Sequence, residues 1–167
     1  VYDTVAIGDQ VWLKENLKTT KYIDGTPIPH VPGNTEWANL TSPGYCWYEN
    51  DLGYKNVYGA LYTWYTVKTG VLCPVGWHVA TDADWTLLEN FLEGSAIAGG
   101  KLKETGFEHW YEPNADATNE SGFTALPGGW RDGHNGGSVD VRVKAAWWTS
   151  TEYVPDSPWY RQIFYNS

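Results

Sequence analysis

The most regular pattern of apolar and polar residues predicts an amphipathic helix near the middle of the chain. Thr81 and Asp84 have the spacing of a capping box, so the helix is expected to begin after Thr81. Gly94 is a typical C-terminal stop, and a short strand over residues 77–79 is expected just before the helix. Trp85, Leu88 and Leu92 recur at i, i+3 and i+7. This is the spacing of one helix face packed in a core.

A second helix is predicted over residues 57–68. Asn56 is in the N-cap position and Gly70 supplies the stop. A shorter helical turn is expected near residues 34–39. The apolar positions of the longer segment fall on one helix face: Val57, Leu61, Trp64 and Tyr65.

Short β-rich runs predict several strands. Two such runs flank Gly8-Asp9 near the N-terminus, a pattern typical of a hairpin. Between the last two predicted strands, residues 152–158 are expected to form a loop. The sequence therefore predicts one α+β domain over residues 1–167, with two helices, small antiparallel sheets and a long loop-rich second half. Further strands are predicted over residues 45–48, 123–126, 145–150 and 160–165.

The composition is rich in tryptophan and tyrosine, with 11 Trp and 12 Tyr against 4 Phe and no Met. Because both side chains carry a polar group, this excess indicates either a polar-networked interior or an aromatic surface. The net charge of −9 excludes nucleic acid and anionic membranes as expected partners, since it would repel phosphates. No apolar run approaches membrane-spanning length, so no membrane insertion is expected. Cys46 and Cys73 permit one disulfide without requiring it, which is compatible with a secreted or cell-surface setting.

No catalytic pattern is present in the sequence. Neither cysteine has a nearby histidine that could act as a base, and the four histidines lack metal-ligand spacing. Nucleophile-elbow, phosphate-loop and dinucleotide motifs are also missing. We therefore expect a protein that is not an enzyme and carries no catalytic cofactor.

Two aromatic groups in the second half are candidate ligand-binding residues. Large rings lie there beside hydrogen-bond donors and acceptors, and such rings stack on sugars or anchor protein interfaces. The alternative is that the rings only cover the core beneath the loops. The first group is Trp130, Arg131, Asp132, His134 and Asn135, and the second is Tyr153, Trp159, Tyr160 and Arg161.

Asp116, Asn119 and Glu120 form an oxygen-rich group in the loop region. Carboxylate and amide oxygens are the ligands that Ca²⁺ prefers, so a structural calcium ion is one interpretation. The other is that these side chains bind neighbouring backbone amides and fix the long loop.

Several phrases of the sequence resemble a known family: YGALYTWYTV, LCPVGWHVATDADWTLLENFL, TNESGFTALPGGWRDG and WWTSTEY. They are similar to the Fibrobacter succinogenes major paralogous domain, a family of secreted or surface-associated bacterial domains. The phrase GWHVATDADW is also similar to a segment of formylglycine-generating-enzyme-like domains. Both groups are associated with the C-type-lectin-like fold, which the resemblance therefore implies here. The tripeptide Glu112-Pro113-Asn114 resembles the one with which sugar-binding C-type lectins hold calcium, although their companion W-N-D phrase is missing.

The sequence departs from the family pattern at its end. Family members usually close with a strand of the form G-F-S-V-R-C-V, and this chain stops at Ser167. Either the C-terminus is incomplete or a strand from another chain fills the gap at this edge. The departure also removes the cysteine that the resemblance would pair with Cys73, which leaves Cys46–Cys73 as the fallback pairing.

Three functional hypotheses follow from the sequence. The first is a secreted or surface-exposed binding module for adhesion or recognition, whose partner is a surface glycan or a protein receptor. The second is a structural subunit of a surface filament that assembles by strand exchange at the C-terminal edge. The third is an oxidase resembling formylglycine-generating enzymes, which the position of the two cysteines disfavours.

Overall fold

Short helices and two-stranded sheets alternate along the chain in the computed structural model, which describes residues 2–167. The fold class is α+β, as predicted. A single 3₁₀ turn at Tyr48–Asn50 follows the third strand. The elements are β1 Thr4–Ile7, β2 Gln10–Leu13, α1 Asn34–Ala38, β3 Tyr45–Cys46, α2 Leu52–Tyr58, β4 Leu61–Tyr62, α3 Trp64–Lys68, α4 Asp82–Phe91, α5 Ser95–Leu102, β5 Gly128–Arg131, β6 Ser138–Val141, β7 Lys144–Val154 and β8 Ser157–Phe164.

The strands pair as four separate antiparallel sheets: β1–β2, β3–β4, β5–β6 and β7–β8. Within residues 2–167 none of these sheets gains a third strand. The hairpin predicted at Gly8-Asp9 is confirmed, with Ile7 opposite Gln10. Side-chain packing, not a continuous sheet, therefore holds the four strand pairs together.

Helix α4 confirms the prediction for the central stretch. The Thr81 hydroxyl accepts a hydrogen bond from the Asp84 N–H at 3.1 Å, and the Asp84 carboxylate accepts one from the Thr81 N–H at 2.8 Å. Trp85 and Leu88 are buried on its inner face. The strand predicted over residues 77–79 does not form. This segment makes only isolated contacts, such as the Val79 carbonyl that accepts the Ser150 hydroxyl at 2.8 Å.

The helix predicted over residues 57–68 is wrong as a single element. Gly59 has φ +73°, and a Cβ there would lie 2.8 Å from the Leu17 carbonyl oxygen, so the chain breaks at this glycine. Helix α2 ends before it, β4 follows, and α3 starts afterwards. The caps are Asp51 and Thr63, not Asn56.

The number of helices also differs from the prediction, because the described chain contains five α-helices where two were expected. The short turn near residues 34–39 is confirmed as α1. Helix α5 lies in the second half of the chain, which was expected to be rich in loops. Gly100 is required there, since a Cβ would lie 2.4 Å from the Asp116 carbonyl oxygen.

The predicted strands are only partly correct. The loop expected over residues 152–158 is wrong, because β7 continues to Val154 and β8 begins at Ser157, closing a long hairpin. Residues 123–126 contribute one isolated bridge, from Ala125 to Lys103, instead of a strand. The strand expected over residues 45–48 is shorter and passes into the 3₁₀ turn.

Aromatic side chains dominate the interior. In the largest cluster, built around α4, the rings of Trp12 and Trp85 lie 4.8 Å apart and those of Trp85 and Trp147 lie 5.4 Å apart. A second cluster surrounds Trp47 and Trp64, and a third lies around Trp37. None of the helices in residues 2–167 has the length and apolar character needed to cross a membrane.

The two cysteines are free thiols in this structure. Cys46 is fully buried in the third cluster, and Cys73 is partly buried. The fallback disulfide between them is therefore not formed.

Candidate functional site

The β7–β8 hairpin carries aromatic side chains on both of its faces. Trp148 lies opposite Tyr160 in the strand register, and their rings are 6.5 Å apart on one face. Trp159 precedes Tyr160 in β8, so its side chain lies on the opposite face of the hairpin. Its ring is 5.3 Å from that of Tyr153. The structure therefore divides the second predicted group of ligand residues between two faces.

One face of the hairpin borders a cleft of about 1330 Å³, which we call the aromatic cleft. Trp148 and Tyr160 line it, and the Trp148 indole N–H donates to the Tyr62 carbonyl oxygen at 2.8 Å. Trp130 of β5 also lines the cleft, with the Lys144 ammonium 4.4 Å from the centre of its ring. Trp130 and Tyr160, from different predicted groups, thus lie in one cavity.

Two buried indole N–H groups of cleft-lining side chains lack acceptors. Trp64 is 7% exposed and Trp85 is 4% exposed, and the Nε1 atom of each is buried without a hydrogen-bond partner. The indole of Trp147, by contrast, donates to the Asn16 side-chain oxygen at 3.1 Å. Because both nitrogen atoms have almost no exposed surface, neither donor is accessible from the open space of the cleft.

The other face of the hairpin presents an exposed aromatic pair, Tyr153 and Trp159. Tyr153 is 62% exposed and Trp159 is 46% exposed. Arg161 lies on this same face nearer the core, and its guanidinium forms ion pairs with Asp82 and Glu89 of α4. Arg161 therefore fastens the hairpin to α4 beneath the aromatic pair.

Arg131, a predicted ligand contact, is buried, and its guanidinium is engaged within the chain. It is 7% exposed and packs over the Trp37 ring at 4.8 Å. Its guanidinium donates four hydrogen bonds, at 2.7 to 3.0 Å. The acceptors are the carbonyl oxygens of Val31, Pro32 and Gly136 and the side-chain oxygen of Asn34.

The neighbouring polar residues of the first predicted group form the β5–β6 turn. The Asp132 carboxylate accepts hydrogen bonds from the backbone N–H groups of His134 at 2.6 Å and Asn135 at 3.3 Å. The Asn135 side-chain oxygen in turn accepts the Gly137 N–H at 2.7 Å. Of this group, Trp130, His134 and Asn135 remain exposed.

Comparison with known protein families shows the family to which this domain belongs. The pattern of the Fibrobacter succinogenes major domain matches residues 5–167. The chain belongs to this family. No curated protein and no solved structure matches it.

In this Fibrobacter succinogenes major domain, two of the three side chains in the oxygen-rich group of the loop have partners within the chain. The Asn119 side chain accepts the Thr124 N–H at 2.9 Å and donates to the Thr124 hydroxyl at 3.0 Å. A Glu120 carboxylate oxygen lies 3.7 Å from the Lys101 ammonium, while Asp116 is exposed. Asn119 thus fixes the loop.

A different group brings potential metal ligands together. Ligand atoms of Glu104, Glu108 and His109 lie within 4.8 Å of one another, and the His109 ring nitrogen is 2.9 Å from both Glu104 oxygens. A set of carboxylate and imidazole ligands suits a divalent transition metal. The spacing of these residues in the sequence does not match a known metal-binding pattern. Asn114 of the lectin-like tripeptide is 5% exposed and donates to the backbone carbonyls of Glu104 and Gly106, so its amide faces the interior.

The thiols of the domain are poorly suited to nucleophilic chemistry. Burial raises the pKa of Cys73 to about 11. Burial also raises the pKa of Cys46, although the nearby Arg131 opposes this effect. Since the thiolate is the reactive form, both side chains stay protonated at neutral pH.

Proposed function

We propose that this domain is a non-catalytic recognition module of C-type-lectin-like fold, secreted or displayed at a cell surface, that contacts a glycan or protein receptor through Tyr153 and Trp159. The observation that carries the proposal is the exposed pair of rings, 5.3 Å apart, at the end of the β7–β8 hairpin. Large exposed rings held side by side are uncommon on a surface without a binding role. Their faces suit the apolar face of a sugar ring or a hydrophobic side chain.

The hairpin supplies a firm support for this pair. Arg161 ties the hairpin to α4 through two carboxylates, and the Lys68 ammonium lies 3.0 Å from Glu152 and 2.7 Å from Asp156 near the turn. A contact surface on an anchored strand pair loses less conformational entropy on binding than one on a free loop.

The charge of the domain narrows the class of ligand. With a net charge of −9, the domain repels sulfated or sialylated glycans at long range. The proposal therefore favours a neutral glycan or a protein receptor with a basic surface.

The non-catalytic part of the proposal is supported by the two thiols. Their raised pKa values leave little thiolate at neutral pH, which opposes the oxidase hypothesis. Replacing both Cys46 and Cys73 with serine is expected to leave ligand binding intact.

The test is a glycan array with and without a chelator, followed by affinity measurements on variants. Tyr153→Ala combined with Trp159→Ala is expected to weaken binding by about tenfold or more. Phe107→Ala is the matched control, because Phe107 is a 54% exposed ring outside the hairpin. Unchanged affinity in the double variant would refute the assignment of this pair.

The chelator separates the calcium interpretation from direct aromatic contact. Loss of binding on chelation would show that a cation takes part in the interaction. Absence of any glycan signal would point to the protein receptor, and the same pair of variants then applies to that receptor.

A further inference from the structure

The segment that follows α5 brings three potential metal ligands together. Ligand atoms of Glu104, Glu108 and His109 lie within 4.8 Å of one another. In the described part of the chain, no other three side chains of His, Cys, Asp or Glu meet in this way. The exposed pair of His78 with Asp84 has no third such ligand beside it, and the Asp84 carboxylate is already engaged in capping α4.

The distances allow these three side chains to bind one ion after small movements. The His109 Nδ1 atom is 2.9 Å from both carboxylate oxygens of Glu104. Zinc bonds of about 2.0–2.1 Å at tetrahedral angles place neighbouring ligand atoms about 3.3 Å apart. The separation of Nδ1 and the Glu104 oxygen therefore has to grow by about 0.4 Å, and Glu108 has to approach by at most about 1.5 Å. Glu108 is exposed, which leaves its side chain free to make this movement.

Two side chains from elsewhere in the chain hold the backbone of this segment in place. The Asn114 amide nitrogen donates to the carbonyl oxygens of Glu104 and Gly106, each at 2.8 Å. The Arg142 guanidinium donates to the carbonyl oxygen of Glu108 at 2.7 Å. Because the main chain is fixed at these carbonyls, only side-chain rotation is needed to form the site. A ligand set supported in this way loses little conformational entropy when it binds an ion.

The two carboxylates of this group lack a permanently charged partner. The Glu104 side chain is 18% exposed, and its ion pair is with His109. Among the described residues, no Lys or Arg forms an ion pair with Glu104 or Glu108, and Arg142 binds the backbone instead. Because a carboxylate shielded from water is costly without a cation, a bound divalent ion stabilises this arrangement. The net charge of −9 adds a long-range attraction for cations.

We infer that Glu104, Glu108 and His109 form a binding site for a divalent transition-metal ion, with Zn²⁺ as the expected occupant. The imidazole decides between classes of ion, because Ca²⁺ and Mg²⁺ are held by oxygen atoms, whereas Zn²⁺ accepts mixed nitrogen and oxygen ligands. Three protein ligands leave the fourth position of a tetrahedral ion for water or for an oxygen atom of a partner. The site shares no residue with the exposed pair Tyr153 and Trp159, so this inference goes beyond the proposed function and does not rest on it.

The probe is Zn²⁺ alone, titrated by calorimetry into the full chain after treatment with a chelator. We expect saturable binding of one ion per domain. Ca²⁺ and Mg²⁺ are expected to bind at least about a hundredfold more weakly, because neither favours a nitrogen ligand. Absence of saturable Zn²⁺ binding, or a preference for Ca²⁺, would overturn the inference.

Glu108→Gln is the first variant, because this side chain is exposed and its replacement is expected to leave the fold intact. Loss of a group that merely supports a metal ligand costs about 10- to 100-fold in affinity, so loss of this ligand is expected to cost at least about tenfold. Glu112→Gln is the matched control, since it removes the same charge from another exposed carboxylate nearby in the chain. Equal losses in the two variants would show that only net charge matters and would overturn the assignment.

His109→Gln is the second variant, with His78→Gln as its control. His78 lies 3.0 Å from Asp84 and its side chain is 71% exposed, so it is the most direct competing contact for a metal ion. Zinc affinity is expected to fall at least about tenfold in His109→Gln and to stay unchanged in His78→Gln. Urea unfolding of both variants checks that the fold is retained. Unchanged affinity in folded His109→Gln, or a loss confined to His78→Gln, would overturn the inference.

Nuclear magnetic resonance identifies the histidine ligand without any substitution. Of the four imidazoles in the chain, that of His109 alone is expected to shift on addition of one equivalent of Zn²⁺. A shift of another imidazole in its place would overturn the assignment. Tyr153→Ala with Trp159→Ala is expected to leave zinc affinity unchanged, so failure here and failure of the proposed function can be told apart.

Discussion

Arg131 offers a direct test of the distinction between a ligand residue and a structural residue. Its guanidinium donates to four oxygens, and three of these lie on the segment from Val31 to Asn34, about a hundred residues earlier in the chain. Arg131→Lys keeps the charge but replaces a planar fork of donors with a single ammonium group. The substitution therefore breaks the geometry while leaving the net charge unchanged.

The expected cost follows from the number of acceptors that lose their donor. A lysine at this position can reach at most two of the four oxygens, so at least two hydrogen bonds to a charged donor are lost. At about 1.5 kcal/mol for each such bond, the free energy of unfolding is expected to fall by about 3 kcal/mol. This is a large share of the roughly 5–15 kcal/mol by which domains are stable.

The measurement is urea unfolding, followed by tryptophan fluorescence, with the midpoint and slope fitted separately. Arg161→Lys is the matched control, because Arg161 makes partly exposed ion pairs with Asp82 and Glu89. We expect the control to lose about 1 kcal/mol or less. If Arg131→Lys were no more costly than the control, the structural role of Arg131 would be refuted.

Three other predictions concern the helix cap and the thiols. Thr81→Ala is expected to lower the free energy of unfolding by about 1 kcal/mol in urea, through loss of the α4 cap, and an unchanged value would contradict this. Burial acts to raise the pKa of Asp84, but hydrogen bonds from Thr81 and His78 outweigh it, so its pKa lies below the ordinary 3.8. The ionised Asp84 carboxylate therefore stabilises the fold above pH 3.8, and this stabilisation is lost as the pH falls through the folded-state pKa. In Asp84→Asn, this part of the pH dependence of the free energy of unfolding is expected to disappear when unfolding is measured across acid pH. Alkylation of Cys73 in the folded protein is expected to be slow at neutral pH and to accelerate as the pH approaches its pKa of about 11, whereas rapid labelling near pH 7 would show that the thiol is not protected.

The parts of the fold that the sequence predicted are those with local signals. The capping box of Thr81 and Asp84 and the hairpin at Gly8-Asp9 depend on residues a few positions apart, and both are confirmed. The break at Gly59 was missed because the apolar spacing around it fits a helix. The close approach of the Leu17 carbonyl, which forces the break, is a tertiary contact.

The candidate site shows the same division between local and distant causes. Asp132 and Asn135 accept hydrogen bonds from nearby backbone groups, as Gly-rich turns commonly require. The burial of Arg131 depends on acceptors far away in the chain, so its sequence neighbourhood could not reveal it. The aromatic cleft was also missed, because it forms only where β7 meets side chains from distant segments.

The close packing of Trp12, Trp85 and Trp147 has an optical consequence. Indole rings fixed at 4.8 and 5.4 Å couple their electronic transitions, so they should contribute a strong exciton signal to far-ultraviolet circular dichroism. This signal overlaps the region used to estimate helix content, and such an estimate would misjudge the short helices of this domain. The same overlap makes the spectrum a sensitive monitor of whether the aromatic interior is intact.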